Sequence, residues 1–424
     1  MLNTADMQAA EMHPYSAGIA FVAETCDSCG LCQRDCSFLQ KYGLPGDIAD
    51  EYPAEPERIQ LMSFSCSLCG LCAAVCPVGL DPSRMFLDLR REAYTLGRGH
   101  CRGHNGLLAY ERRGTSQRYS WYSLPEDCHT VFFPGCNLPG SRPEKTEKLY
   151  DSLLQVDATI GIVLDCCAKP SHDLGRQQDF ERLFFELRDY LLAAGVTTVI
   201  VACPNCHKIF SEYGGGLAVT TIYEHIVQRG MGTGVMQNVP VTLHDPCAVR
   251  FAAGLHVAVR TLLQQQGLTV QEMPHNREHT FCCGEGGAVG ARDGALAEKW
   301  TSRRAQEAEG RLIVTYCAGC TNLLQRMAST CHIVDLLFAP QRTLAGKAGS
   351  SRAPFTYLNR LLFKRRLQKR SAGNLTRERP GRKARAKKAG LAVLLLAASS
   401  FGLCVPAGTY LAGWAVRLLN KALQ

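Results

Sequence analysis

Between residues 128 and 340 short apolar runs alternate with amphipathic stretches. Val131–Phe133, Ile160–Leu164, Val199–Val201, Val241–Leu243 and Leu312–Thr315 are short, apolar and of β type, and predict strands. Between them the period of the apolar positions lengthens to that of a helix. Over Asp179–Ala194, Phe180, Leu183, Phe184, Leu187 and Leu191 fall on one stripe, and Gly195 supplies the stop. Strands alternating with helices predict a mostly parallel sheet, and such sheets gather ligands outside their strand C-termini. Each of these predicted strands stops just before a cysteine. The first hundred residues lack such strands, and Ser83–Tyr94 reads as a helix.

The cysteines repeat in step with this pattern. Cys136, Cys166-Cys167, Cys203 and Cys206 are followed by Cys247, Cys282-Cys283, Cys317 and Cys320 in the same order and at nearly the same spacing. Phe133-Pro134-Gly135-Cys136 aligns with His244-Asp245-Pro246-Cys247, and Val199–Cys206 aligns with Leu312–Cys320. Residues 128–238 and 239–340 therefore read as a duplicated α/β unit. Each copy brings five thiols to one sheet edge. Tetrahedral zinc needs four ligands, and an adjacent Cys-Cys pair crowds a single small ion. A larger iron–sulfur cluster accommodates five sulfurs more easily, with zinc or disulfide pairing as the competing readings.

A second repeat precedes the first. Cys26, Cys29, Cys32 and Cys36 form C-x2-C-x2-C-x3-C, and Cys66, Cys69, Cys72 and Cys76 form it again. Three thiols at steps of three let the backbone fold round one face of a cubane, and the fourth reaches the neighbouring cluster. One 4Fe–4S cubane is thus assigned to Cys26, Cys29, Cys32 and Cys76, and the other to Cys66, Cys69, Cys72 and Cys36. Pro77 follows the second motif, whereas Ser37 stands at that place in the first. A pair of zinc knots fits this spacing poorly.

Composition narrows the setting. The chain has 22 cysteines in 424 residues, and Met1–Gly18 is mixed polar without an export signal. Metal ligation in a reducing compartment is therefore expected, not a disulfide scaffold. Hydrophobic residues at 46% and charged residues at 20% exclude wholesale disorder. Glu285-Gly286-Gly287-Ala288-Val289-Gly290 is glycine-rich but lacks the dinucleotide fingerprint, and reads as a loop that lets backbone approach a cluster. No flavin or nicotinamide motif is visible, so hydride chemistry falls to a partner. His207, His244 and His332 are candidate proton donors near ligand cysteines, with structural hydrogen bonding as the plainer role. Cys101, Cys128, Cys331 and Cys404 lie outside every motif and read as ordinary small residues.

The net charge of +9 is local. Thirteen Lys and Arg against Glu378 lie between Arg360 and Lys388, which leaves the rest of the chain close to neutral. The 28 residues Ala389–Val416 carry no formal charge. As a helix they would be about 42 Å long, enough to cross the hydrocarbon of a bilayer. A basic run before an apolar one is the asymmetry that holds the preceding chain in the cytoplasm. Pro406 and several glycines leave a re-entrant hairpin in one leaflet as an alternative. Nucleic-acid binding is not expected, because the basic run lacks interleaved aromatics.

The C-x(~30)-CC(G)-x(~35)-CxxC pattern resembles the cysteine-rich CCG domain of the heterodisulfide reductase catalytic subunit. It is similar also to the C subunit of anaerobic glycerol-3-phosphate dehydrogenase and to the glycolate oxidase iron–sulfur subunit. The resemblance covers about residues 20–340, the ferredoxin part preceding two CCG domains. It implies noncubane 4Fe–4S clusters, one or two of them, at Cys136, Cys166, Cys167, Cys203, Cys206 and at Cys247, Cys282, Cys283, Cys317, Cys320. Substrate sulfur would bind iron there, with the second set as the catalytic candidate. Ala168 replaces the glycine of the CCG text in the first copy, whereas Gly284 keeps it in the second.

The expected architecture is α/β mixed. A helical two-cluster ferredoxin domain (1–100) precedes two CCG domains (128–238 and 239–340), a basic linker (341–388) and a C-terminal membrane helix (389–424). The expected function is that of a membrane-attached iron–sulfur oxidoreductase subunit, moving single electrons between a redox partner or quinone pool and a thiol or disulfide. The alternative is a non-catalytic relay and anchor for a flavin-dependent dehydrogenase feeding quinone. Expected partners are a flavoprotein or cytochrome b subunit and the inner leaflet, at the cytoplasmic face of the cell membrane.

Overall fold

The computed structural model describes residues 16–228 and 239–381. Residues 16–95 are mainly helical, from Ser16–Thr25 to Pro82–Thr95. Among the described residues ten strands follow: β1 (Trp121–Leu124), β2 (Thr130–Phe133), β3 (Gly161–Leu164), β4 (Thr198–Val201), β5 (Ala218–Thr221), β6 (Val239–His244), β7 (Leu268–Val270), β8 (Ile313–Thr315), β9 (Thr330–His332) and β10 (Leu375–Arg377). All five strands expected from the sequence are among them, and the helix expected at 179–194 runs Gln177–Ala193.

The duplication is visible in the topology. The first sheet has the order β10-β1-β3-β2-β4-β5 and the second β7-β6-β8-β9. The four strands β3-β2-β4-β5 are parallel, as are β7-β6-β8-β9, so the second sheet repeats the first without its two edge strands. Alternation within a strand sends side chains to both faces. Val131 and Phe133 face the helix Gln177–Ala193, whereas Phe132 joins an apolar cluster that continues through Val241, Leu243 and Val314 of the second sheet. The two units thus share one core. Tyr223 and Tyr316 meet edge to face within it, and Tyr223 Oη donates to the Ala202 carbonyl at 3.1 Å. Arg142 and Lys145 of the first unit grip the buried Asp335 carboxylate of the second, Arg142 through bonds of 2.9 and 3.0 Å.

Two expectations are corrected here. Among the described residues no helix is long and apolar enough to cross a membrane. The C-terminal membrane helix of the expected fold, placed at 389–424, lies outside the described residues, and with it the inferred location at the inner membrane loses its support. The basic run that argued for that location also has another use. Phe355–Arg370 is a helix whose Arg360, Phe363, Lys364 and Leu367 are buried, and β10 pairs antiparallel with β1. Lys364 donates to the Ser120 carbonyl at 2.9 Å, Arg366 and Arg370 pair with Glu147 at 3.1 and 3.0 Å, and Arg377 pairs with Glu186 at 2.8 Å. Arg379 is fully buried, 2.6 Å from the equally buried Asp165 and 3.0 Å from Glu186. These cations are partners of the first CCG-like unit and not a lipid-facing patch. The sequence reading counted charges without seeing the acids they meet across more than 190 residues.

Replacing Arg379 with Met should therefore strand the Asp165 carboxylate inside the fold. A loss of about 3–5 kcal/mol is expected, read as a lowered thermal unfolding midpoint. An unchanged midpoint would return 341–379 to the status of a linker.

Candidate iron–sulfur sites and the cavity between them

The two ferredoxin-type motifs fold alike. Ser28 and Leu68 take left-handed conformations (φ 53° and 48°), as do Gly30 and Gly70, which precede the short helices Leu31–Asp35 and Leu71–Ala74. These turns curl each motif so that its thiols face inward, and Leu68 N–H reaches Cys66 Sγ at 3.4 Å. Cys26, Cys29, Cys32, Cys72 and Cys76 line one small cavity, with Cys29 at the surface. Burial, then the charges of Cys26 and Cys29, pushes the Cys32 thiol up to about 11, and Cys76 adds to this. Cys36, the last residue of the first motif, lies instead beside Cys69 and Cys66, where burial and then their charges push its thiol upward. Ser37 opens the helix Ser37–Tyr42, a first position that a proline would also accept.

The ten remaining motif cysteines form two chains of hydrogen-bonded thiols. In the first, Cys136 meets Cys166, Cys167 meets both Cys166 and Cys206, and Cys203 meets Cys206. In the second, Cys247 meets Cys282, Cys283 meets Cys282 and Cys320, and Cys320 meets Cys317. They arrive from the C-terminal ends of β2, β3 and β4 and of β6 and β8, and from the loop that follows β7. The sheet edges therefore do for the chain what the sequence spacing implies. Hydrogen bonds from Cys166 and Cys206 pull Cys167 down to about 6, and those from Cys282 and Cys320 pull Cys283 down to about 7. Five thiols packed side by side, most of them buried, cannot all ionise without positive charge among them. A sulfur-rich donor set of this kind fits an iron–sulfur cluster.

Every cysteine of both sets except Cys282 lines one cavity of about 170 Å³. The residues just after each Cys-Cys pair face it with opposite charges. Lys169 follows Cys166-Cys167-Ala168, and Glu285 follows Cys282-Cys283-Gly284. Lys169 is paired with Asp173. Burial raises the Glu285 carboxyl and the Lys169 charge lowers it, with burial the larger effect. Glu285 lies directly over Gly319, where any side chain would collide with it.

The glycine-rich loop packs its backbone against the second ferredoxin-type motif. A Cβ at Gly286 would meet the Ser67 carbonyl oxygen at 2.5 Å, and one at Gly287 the Cys66 carbonyl oxygen at 2.5 Å. The second five-cysteine set is thereby brought against the buried ferredoxin motif. Arg250, three residues after Cys247, donates from Nε to the Cys69 carbonyl at 2.9 Å across this contact.

Comparison with known proteins agrees with this geometry. The cysteine-rich CCG domain matches residues 130–211 and again 241–325, and the 4Fe–4S dicluster domain matches residues 22–80. The chain belongs to the family of iron–sulfur proteins that join a 4Fe–4S dicluster domain to cysteine-rich CCG domains. The fumarate reductase (CoM/CoB) B subunit of Methanothermobacter marburgensis is 28% identical over 67% of this chain and 60% of its own length. The dihydromethanophenazine:CoB–CoM heterodisulfide reductase D subunit of Methanosarcina barkeri is 23% identical over 66% of this chain and 78% of its own. The EtfAB:quinone oxidoreductase of Syntrophomonas wolfei is 22% identical over 62% of this chain and 43% of its own. The chain thus spans less than two thirds of the first and third of these relatives.

In this CCG-domain protein the three candidate histidines part company. His332 caps the helix Ile333–Phe338, its Nδ1 accepting from Val334 N–H at 3.2 Å while Asp335 closes the capping box. His207 is half-buried on the helix Pro204–Tyr213, and burial lowers its pKa. One nitrogen of His244 lies within 4.8 Å of the Cys283 and Cys320 sulfurs. Of the cysteines outside the motifs, Cys101, Cys128 and Cys331 do not line the cavity, and Cys404 lies outside the described residues. Sequence reasoning missed Tyr110, whose hydroxyl bonds Cys136, and Arg360, whose charge lowers the Cys136 thiol against a net rise. Neither lies in a motif, and nothing along the chain points at them.

The Ala168 departure leaves the conformation intact. Ala168 sits at φ 57° where Gly284 sits at φ 100°. Gly284 has no room for a methyl, since a Cβ would meet the Ala297 carbonyl oxygen at 2.5 Å. Ala168→Gly should relieve left-handed strain and raise stability by up to about 1 kcal/mol. Gly287→Ala should do the reverse, costing at least about 1–2 kcal/mol and pushing the loop off Cys66. Thermal melts of the two variants check both signs.

Proposed function

We propose that this chain is an iron–sulfur oxidoreductase subunit that carries single electrons from a redox partner to a thiol/disulfide couple in the cavity between its CCG domains. The observation that carries the reading is that nine of the ten CCG cysteines, all but Cys282, face this one cavity, one set from each sheet edge. Cys26, Cys29, Cys32 and Cys76 would hold one cubane cluster and Cys66, Cys69, Cys72 and Cys36 the other. The ten CCG cysteines would hold two noncubane clusters. When bound, these groups supply one-electron transfer, and the noncubane pair supplies iron that takes up substrate sulfur.

The chain's own residues do the rest. Cys29 at the surface puts the outer motif within reach of a partner flavoprotein or cytochrome b subunit. The 286–287 backbone against Ser67 and Cys66 keeps the step from ferredoxin to CCG set short. The largely apolar cavity wall excludes water around the sulfur atoms, while Lys169 and Glu285 present one polar group from each side. The net reaction takes two electrons and two protons to one disulfide and yields two thiols, or runs in reverse. The similarity to the EtfAB:quinone oxidoreductase favours a second reading, a relay that passes electrons from a flavoprotein without reacting with sulfur itself.

Anaerobic iron and sulfide analysis with EPR separates the two. About sixteen irons, with a new paramagnetic signal on adding a thiol under oxidising conditions, is the result expected. About eight irons with ferredoxin-type signals alone would leave the CCG cysteines structural and the relay standing.

A further inference from the structure

His244 ends β6, three residues before Cys247, and is completely buried. Its Nδ1 lies 3.1 Å from Nε of Arg304, itself buried and held by Glu307 and by the His275 carbonyl at 2.7 Å. A guanidinium can only donate, so Nδ1 accepts and carries no hydrogen. The ring proton of the neutral imidazole is then on Nε2. That atom is buried and has no hydrogen-bond partner among the described residues. One ring nitrogen of His244 lies within 4.8 Å of the sulfurs of Cys283 and Cys320, and Nε2 is the nitrogen that Arg304 leaves free. An N–H left unpaired in a dry interior is costly, and these two sulfurs are the acceptors beside the ring.

We propose that His244 Nε2–H donates a hydrogen bond to the Cys283–Cys320 sulfur pair of the second CCG site, and so raises the reduction potential of the cluster held there. This rests on the reading that the second set holds a cluster. Donors to cluster sulfurs stabilise the more negative, reduced state. Arg304 orients the donor and adds its positive charge behind it. His244 is a positioning residue in this scheme, since it touches ligand sulfur and not substrate. The device belongs to one site only. In the first copy the matching strand end is Phe133, whose ring packs edge-on against Phe210 at 5.1 Å. The donor there, the Tyr110 hydroxyl, meets Cys136 at the opposite end of the set.

The test begins with a metal count on the full chain. About eight irons would mean an empty second site and would overturn this proposal together with the reading beneath it. With about sixteen, ENDOR of protein carrying 15N-histidine, in H2O and D2O, reads the contact directly. Expected are an exchangeable proton coupling and a weak 15N coupling on one CCG signal. A strong 15N coupling would make His244 an iron ligand, and no coupling would make it a bystander; either overturns the donor role. His244→Phe, copying the first unit, should lose the coupling and move the midpoint of that signal to more negative potential. His244→Gln, which keeps an N–H, should recover part of both. A midpoint unmoved in a fully loaded H244F protein would overturn the claim on potential. Should H244F fail to hold the cluster, the labelled parent protein decides the donor role and H244Q the potential, where a midpoint at or above the parent's would count against it.

Discussion

The guanidinium of Arg90 is where the three cysteine-bearing parts of the molecule meet. It is fully buried on the helix Pro82–Thr95 and donates to carbonyls from all of them. Ser63 accepts at 2.8 and 3.1 Å and Cys66 also accepts, both from the ferredoxin part. Asp173 of the first CCG domain accepts at 2.7 Å, and Gly287 of the second at 2.9 Å. Carbonyl oxygens are weak counter-charges, and burial brings this guanidinium down to about 10. What it gains is geometry. A planar fork with five donors can fix several backbones at once, whereas a lysine could not. The glycines opposite follow from the same requirement, since Gly175 lies against the Arg90 backbone and Gly287 against its guanidinium. Electron transfer falls steeply with distance, so a fold that must keep separate sulfur sets close needs its contacts made by rigid backbone.

The duplication gives two sites built from the same four-stranded plan, and the departures from symmetry are where their chemistry can diverge. The position after each CC(G) text is Lys169 in one copy and Glu285 in the other, opposite in sign across a shared cavity. The strand end before each first cysteine is Phe133 in one and His244 in the other. The ferredoxin part touches the copies unequally. Arg250 and the 286–287 backbone bind it to the second copy at the level of Cys66, Ser67 and Cys69. The first copy instead receives Arg360 and Tyr110 from outside its own repeat. Similar cysteine spacing thus does not imply identical surroundings or access.

Much of this was legible in the chain. The β-type runs ending at cysteines located β2, β3, β4, β6 and β8, because a strand buried on both faces must be apolar throughout. The stripe from Phe180 to Leu191 located a helix for the same reason. The short strands β5, β7 and β9 were not visible. Ala218–Thr221 and Thr330–His332 are sheet-edge segments with little apolar content, and their pairing is decided by the neighbours that receive them. Which cysteines would lie together was readable because thiol spacing is set by local chain geometry. Arg90, Tyr110 and Arg360 act through contacts that only the fold creates. The basic segment shows the opposite failure, in which a local pattern was legible but its meaning was not. Charge density near an apolar tail suggested lipid, yet Glu147, Asp165 and Glu186 were waiting in the first CCG domain.

That misreading bears on how the first CCG domain is completed. Its sheet has antiparallel β1 and β10 on the edge that the second sheet leaves at β7. The segment supplying β10 also supplies Arg360, which stacks on Tyr110 and Tyr119 with its charge near Cys136. A segment that closes a sheet edge and also brings its charge near Cys136 couples the folding of that edge to the first site. Any partner or preceding event that loosened 355–379 would act on Cys136 before it acted on the ferredoxin part. The second site takes nothing from 355–379: Arg250 and Arg304 come from within its own unit, and Lys169 of the first unit also acts on Cys247. The two sulfur sets that share one cavity therefore draw their guanidiniums from different places, Arg250 and Arg304 from within the second repeat and Arg360 from outside the first.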